Sequence, residues 1–263
     1  MGILAGKIAL ITGASMGIGS GIAQVFAAEG AKLALAARSE QTDKLAAELQ
    51  KSGAEVIAVK MDVTDPASVQ AGVEKAAQTY GGLDILVNNA GVCRLGLFEE
   101  MSDETRDFHF DVNIKGVWNA TRAALPYLKK SANGKIVIMS SVTGDLVADP
   151  GEVAYATTKA ALVGFTKALA VELAAHNINV NAICPGYVLT PMARSIAKQS
   201  SPDNPQAALD GIAKAVPLKR LADPAEVGHL AAFLASQGAN YLTGAQFVID
   251  GGSTLPETAS VGV

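Results

Sequence analysis

The chain has little of what builds a stapled or metal-centred protein. Its two cysteines, Cys93 and Cys184, stand far apart in apolar surroundings. They read as small buried hydrophobes in a reducing compartment, not as a disulfide. Three histidines, His109, His176 and His229, sit in separate segments without ligand spacing, so no metal site is expected. Charged residues are 17% and the net charge is −4, with acids and bases interleaved. No basic block suggests a nucleic-acid groove. No apolar run approaches a membrane span. The opening MGILAGKIALITGAS carries a short apolar stretch straight into a glycine-rich turn, unlike a signal peptide, and Gly6 stands where a myristoylation signal wants Ser or Thr. The expectation is a cytoplasmic protein without membrane or nucleic-acid partners.

What is present is a compact composition, 49% hydrophobic over 263 residues, suited to one α/β domain. Short β-branched runs alternate with longer helical patterns. The candidate strands are Ile8–Thr12, Lys32–Ala36, Glu55–Met61, Ile85–Asn88, Lys135–Ser140, Asn179–Ile183 and Gln246–Ile249. They are almost continuously apolar, as in a parallel sheet covered on both faces. The candidate helices are Gly17–Glu29, Gln41–Ser52, Pro66–Tyr80, Asp103–Lys130, Val153–Ala175 and Pro224–Ser236. This alternation predicts a doubly wound α/β domain. The least regular stretch, Gly186–Arg220, holds Pro191, Pro202, Pro205 and Pro217 and is read as a substrate lid. The helix Val153–Ala175 is apolar nearly all round and must be buried on more than one side. A second subunit, or its own domain alone, could supply that burial; the oligomer is favoured. The tail LPETASVGV either reaches a neighbouring subunit or frays.

The first strand leads into TGASMGIGSGIA, with Gly13, Gly17 and Gly19 between strand and helix. Glycine permits positive φ and close approach of backbone to a pyrophosphate, and the helix start offers free amides and positive potential. The spacing G-x-x-x-G-x-G differs from the commoner dinucleotide pattern, so its position at the first strand–helix junction carries the argument. The second strand ends in Ala37, Arg38 and Ser39. A carboxylate there would favour NAD; a guanidinium with a hydroxyl matches a 2′-phosphate, so the sequence prefers NADP(H) over NAD(H). The competing reading is a plain surface arginine.

Residues 155–159 read YATTK. Tyr155 and Lys159 share a helix face. An ammonium beside a phenol favours the phenolate, which would bring Tyr155 toward the working pH as an acid/base. Five tyrosines and 15 lysines in 263 residues would give roughly 0.3 such spacings by chance, so the context decides. A strand ends at Ser140 and Ser141, where ligands sit in open α/β sheets. NNAG (88–91) ends another strand, and NIKG (113–116) puts Asn113 inside a long helix, where an amide has poor propensity. Asn88 and Asn89 read as largely structural. CPGYVLT places Thr190 where it could meet a nicotinamide amide. Candidate pocket residues are Arg94, Asp145, Leu146, Val147, Tyr187 and Met192; a solvated loop role is the default for Arg94.

Over nearly its whole length the sequence resembles the short-chain dehydrogenase/reductase family of the single-domain type. The matching pieces are TGASMGIG, DVT (62–64), NNAG, NIKG, SSVTG, YATTK, PGYVLTP and YLTGAQFVIDGG. The resemblance implies a Rossmann-type doubly wound sheet of seven parallel strands with helices on both faces, one domain over 1–263 with a substrate loop at about 186–220, and a homotetramer. It implies Tyr155 as acid/base, Lys159 lowering its pKa and bonding the nicotinamide ribose, Ser141 polarising the substrate oxygen, and Asn113 holding a relay water. It assigns cofactor contacts to Gly13, Ser15, Gly17, Ile18, Gly19, Arg38, Ser39, Asp62, Val63, Asn89, Gly91, Tyr155, Lys159, Pro185, Gly186, Val188 and Thr190. The loop from Ser141 to Tyr155 is one residue longer than the family's commonest spacing, which bears on the choice of Ser141 over Ser140. The expected activity is NADP(H)-dependent hydride transfer to a small carbonyl or from an alcohol. The rivals are an NAD-dependent alcohol dehydrogenase on the same site and a non-catalytic NADP-binding regulatory protein.

Overall fold

The computed structural model describes residues 2–256; the tail from 257 onward, to which the subunit-reaching expectation largely applied, lies outside the described residues. Seven strands form one parallel sheet: β1 (Ile8–Thr12), β2 (Lys32–Ala37), β3 (Val56–Lys60), β4 (Ile85–Asn88), β5 (Gly134–Met139), β6 (Ile178–Pro185) and β7 (Gln246–Ile249), in the order β3-β2-β1-β4-β5-β6-β7. Alternate residues of each central strand feed opposite cores, as a period of two requires. Ala9, Ile11, Leu33, Leu35, Ile85 and Val87 join one core with Ile22, Phe26 and Val227. Leu10, Ala34, Leu86, Ile136 and Ile138 join the other with Val73, Val117 and Leu162. The two cores are those of the helix layers expected on the two faces.

The helices are α1 (Gly17–Ala28), α2 (Gln41–Lys51), α3 (Pro66–Tyr80), α4 (Asp103–Phe110), α5 (Gly116–Leu128), α6 (Val153–Leu173), α7 (Pro191–Ser200), α8 (Pro205–Ala215) and α9 (Pro224–Ala235). The single long helix expected over 103–130 is interrupted by a π-helical turn, Asp111–Lys115, with Asn113 at its centre. Such turns recur at functional sites.

The segment 186–220 is more regular than its prolines suggest. Pro191 and Pro205 sit at the first turn of α7 and α8, behind Thr190 and Asn204, whose side chains cap Ala193 N–H and Ala207 N–H. Asp65–Pro66 and Asp223–Pro224 start α3 and α9 in the same way. Proline lacks an N–H that the first turn does not need, so a capping residue followed by Pro starts a helix where Pro alone reads as a break. Among the described residues no helix is long and apolar enough to cross a membrane.

Candidate active site

The strand order reverses between β1 and β4, and the cleft above that point is where open α/β sheets bind ligands. The glycine-rich turn lies there. Gly13 and Gly17 hold φ of 63° and 59°, the left-handed region that favours glycine. A Cβ on Gly19 would collide with the Gly13 carbonyl and the Asn89 amide. Met16, at the N-cap of α1, gives no side-chain cap, and no acid stands in the first turn. A bare turn leading to an uncapped helix start fits a dinucleotide pyrophosphate. Ser15 is half-buried in this turn, and Ile18 packs against the core. Asn89 ties the turn to β4 through its amide, which donates to Thr12 O (3.0 Å) and Gly13 O (3.1 Å). Thr190 closes the other side: a Cβ on Gly17 would lie 3.3 Å from its side chain.

Toward the adenosine side, Arg38 follows Ala37 at the end of β2. Its side chain is 65% exposed and reaches Asp62 at 3.6 Å. Burial works against the Asp62 charge, but the Thr64 N–H and hydroxyl and the Arg38 guanidinium hold its carboxyl below the usual range. Ser39 Oγ accepts from Gln41 N–H at 3.2 Å, so its own hydroxyl proton is still available. Val63 packs on Gly116 and its carbonyl accepts from Asn119 Nδ2 at 3.0 Å.

The catalytic candidates meet on the other side of the cleft. Tyr155 and Lys159 lie on α6, and Lys159 Nζ stands 5.5 Å from the Tyr155 ring centroid. Lys159 is buried, and its Nζ donates to Met139 O at 2.8 Å. A Cβ on Gly91 would lie 3.5 Å from both Lys159 Nζ and Asn113 Oδ1, so NNAG, the π turn and α6 converge. The Asn113 amide is fully engaged: Oδ1 accepts from Val92 N–H (2.8 Å), and Nδ2 donates to Val92 O and Thr158 Oγ1 (3.0 Å each). Ser140 Oγ donates to Lys159 O at 2.8 Å, which commits it to holding α6. Ser141 is buried, its Oγ accepts from Thr143 N–H at 3.1 Å, and it is the serine close enough to the Tyr155 phenol to favour its anion. After β6, Pro185 ends the strand, Gly186 N–H donates to Ile249 O at 3.0 Å, and Val188 bridges to Ala222.

The electrostatic balance differs from the sequence expectation. Burial, then the Cys93 and Glu152 charges, push the Tyr155 phenol above its ordinary value; only the Ser141 hydrogen bond pulls the other way. Burial lowers Lys159 to about 8. Taking a phenol out of water disfavours its anion, and here that outweighs the pull of Ser141. Tyr155 therefore rests protonated.

Two residues of the site escaped sequence reasoning. Cys93, read as an inert hydrophobe, lies near enough to Lys159 and Glu152 to sense both charges, and burial pushes its thiol up to about 12. Glu152 precedes Tyr155 by one helical turn, a spacing that already placed the two side by side. The Arg94 guanidinium lies 4.2 Å over the Phe108 ring.

Comparison with known proteins agrees with this geometry. A family profile described as Enoyl-(Acyl carrier protein) reductase matches residues 13–254. The chain is 66% identical to the Oxidoreductase UcpA of Salmonella typhimurium over all of both chains. It is 39% identical to the 3-oxoacyl-[acyl-carrier-protein] reductase FabG of Escherichia coli, covering 94% of this chain and 97% of that one. The aldohexose dehydrogenase of Thermoplasma acidophilum superposes with a TM-score of 0.89 at 33% identity, covering 99% of this chain and 98% of the other. With sheet order, glycine turn and Tyr–Lys pair in place, the chain is an oxidoreductase of the short-chain dehydrogenase/reductase family.

Proposed function

We propose that the chain is an NADP(H)-dependent carbonyl reductase, reversible to a secondary-alcohol dehydrogenase, with Tyr155 as its acid/base. The observation that carries this is the meeting of Tyr155, Ser141 and Lys159 beside a glycine turn that only a bare backbone can form. The names of two relatives, an aldohexose dehydrogenase and a 3-oxoacyl reductase, describe carbonyl–alcohol interconversions. The nicotinamide, when bound, supplies the hydride.

The residues of the chain supply the proton and the charge. In reduction, Tyr155 must start protonated, and burial keeps it so. Ser141 orients the substrate oxygen at the phenol. As the proton leaves, the phenolate forms beside Lys159, which at a pKa of about 8 is mostly charged near neutrality and stabilises the anion. With its side-chain amide engaged, Asn113 would serve a relay water through a main-chain group of the π turn. Arg38 and the Ser39 hydroxyl take the 2′-phosphate, with Ala37 where an acid would repel it. The 186–220 segment, with α7 and α8, covers the substrate.

The protein works in the cytoplasm as a homo-oligomer, a tetramer being favoured. Val171 on α6 is 82% exposed, Tyr241 is wholly exposed, and Phe233 on α9 and Val248 on edge strand β7 are open; a second subunit would cover them.

NADPH oxidation across a panel of aldehydes, ketones and sugars tests the reading. Tyr155→Phe should lower kcat by about 10²- to 10⁴-fold while leaving NADPH affinity intact. Undiminished turnover in that variant would reject the mechanism.

A further inference from the structure

The three threonines of α6 each bond back to a carbonyl one turn earlier: Thr157 Oγ1 donates to Val153 O, Thr158 Oγ1 to Tyr155 O and Thr166 Oγ1 to Leu162 O, all at 2.7 Å. Such a bond satisfies a hydroxyl donor enclosed in a helix, and for the buried Thr166 it is the whole account. Thr158 is fully buried and does one thing more. Its oxygen accepts from Asn113 Nδ2 at 3.0 Å. One hydroxyl thus joins the main chain of Tyr155 to the side chain of Asn113.

That bond stands at a seam. Around Lys159, α6 is held to the end of β5 twice, by Ser140 Oγ donating to Lys159 O and by Lys159 Nζ donating to Met139 O, both at 2.8 Å. To the π turn, α6 is tied once: the Asn113–Thr158 bond is the one hydrogen bond between them among the described residues. The π turn itself goes with the loop after β4. Asn113 holds Val92 at its N–H (2.8 Å) and its carbonyl (3.0 Å), and His109 Nε2 accepts from Arg94 N–H at 3.0 Å. Loop and turn form one unit, and α6 with β5 forms another. Thr158 pins the first to the second beside Lys159.

We propose that Thr158 is a positioning residue for the return of a proton to Tyr155: its hydroxyl fixes the main chain of the π turn in register with Lys159. This rests on the reading of Tyr155 as the acid and of Asn113 as the support of a relay water. Each reduction leaves Tyr155 as a phenolate, and the proton that restores it comes from solvent. A relay that runs from the π turn through Lys159 crosses the seam that Thr158 closes. Sealed from the cleft, Thr158 touches no substrate and acts through Asn113.

Thr158→Val keeps the side-chain volume and removes both bonds, Thr158→Ser keeps both, and Thr166→Val, equally buried, is the control. A carbonyl from the panel that wild type reduces is assayed with NADPH and with NADPH deuterated at the hydride-donating carbon, in light and in heavy water. Thr158→Val should lower kcat about tenfold, the worth of one buried hydrogen bond, with KM and NADPH affinity nearly unchanged. Its solvent isotope effect should rise above that of wild type, and its nucleotide isotope effect should not, because proton return then limits turnover. A merely loosened site would slow hydride transfer instead and enlarge the nucleotide isotope effect. Thr158→Ser should recover most of kcat, and Thr166→Val should match wild type per folded molecule. Thermal unfolding checks each variant; if Thr158→Val does not fold, the smaller Thr158→Ala is read in the same way. An unchanged kcat overturns the inference and leaves the proposed function standing. So does a loss without a larger solvent isotope effect, a loss that Thr158→Ser does not recover, or one that Thr166→Val shares. If wild type reduces no carbonyl with either nicotinamide nucleotide, or Tyr155→Phe keeps full turnover, the proposed function itself fails and takes the inference with it.

Discussion

Lys159 and Lys135 are both sealed in the protein, 4% and 3% exposed, and burial lowers each to about 8. They sit at opposite ends of the sheet and do different things. Lys135, near the start of β5, donates to Asn179 Oδ1 and Asn240 Oδ1, both at 2.8 Å, and so ties β5 to β6 and to the chain before β7. Lys159, against the far end of β5, has the Met139 carbonyl as its protein acceptor and the Tyr155 ring for a neighbour. One lysine is a clamp with side-chain acceptors built for it. The other keeps bonding capacity in reserve at the cleft. A depressed lysine pKa therefore does not by itself mark a catalytic group; spare donors facing a nucleotide cradle do.

The comparison breaks most visibly on substitution. Lys159→Met should cut kcat by at least about 10²-fold, since the phenolate loses its neighbouring cation, with a smaller loss of nucleotide affinity. Lys135→Met should leave turnover per folded molecule unchanged and lower stability by about 1–3 kcal/mol, because the buried Asn179 Oδ1 loses this donor and the tie from β5 to Asn240 is cut. Steady-state kinetics and urea unfolding on both variants separate the roles. If Lys135→Met lost activity at unchanged stability, or if Lys159→Met remained active, the contrast would be wrong.

At the adenosine end, Arg38→Ala should weaken NADPH binding by tenfold or more, about 1.5–3 kcal/mol for hydrogen bonds to a charged group, and leave NADH nearly untouched. Equal losses for both nucleotides would make Arg38 a structural partner of Asp62, which it already reaches at 3.6 Å.

The sheet was legible because each strand is an apolar run bounded by turns; β1, β4 and β7 have the bounds their sequence suggests. The convergence of Gly19, Asn89, Lys159 and Tyr155 followed from motifs placed at strand ends. Other features were hidden for physical reasons. The π turn at Asp111–Lys115 leaves the 3.6-residue pattern of its flanking helices intact, so periodicity ran straight through it. Helices α7 and α8 were masked by their own starting prolines. The upward push on Tyr155 is set by how deeply α6 and its neighbours enclose the phenol, and a Tyr–Lys spacing carries no information on depth. Glu152 was hidden because nothing in a sequence shows that a carboxylate at a helix start fails to cap it.

The smallest effect sharpens the contrast between the lysines by pH. Each has a folded pKa near 8 against 10.5 for the ordinary lysine. Between those values the unfolded chain holds more protons, so stability rises with pH through that window; below about 8 both states are charged and the penalty of the buried charge is constant. Cys93, Tyr80 and Tyr187, each pushed up to about 12, act oppositely. Their unfolded forms lose protons first, so stability falls as pH climbs past the ordinary thiol and phenol values. Wild type should thus gain slightly from pH 8 to about 9 and lose above 10. Subtracting the urea-unfolding curve of Lys135→Met from that of wild type cancels the shared thiols and phenols. The deficit of the variant should widen steadily from pH 8 to 10.5, the window of the shifted amine; a deficit that does not change with pH would mean that Lys135 titrates as an ordinary lysine and that its asparagine partners keep it charged.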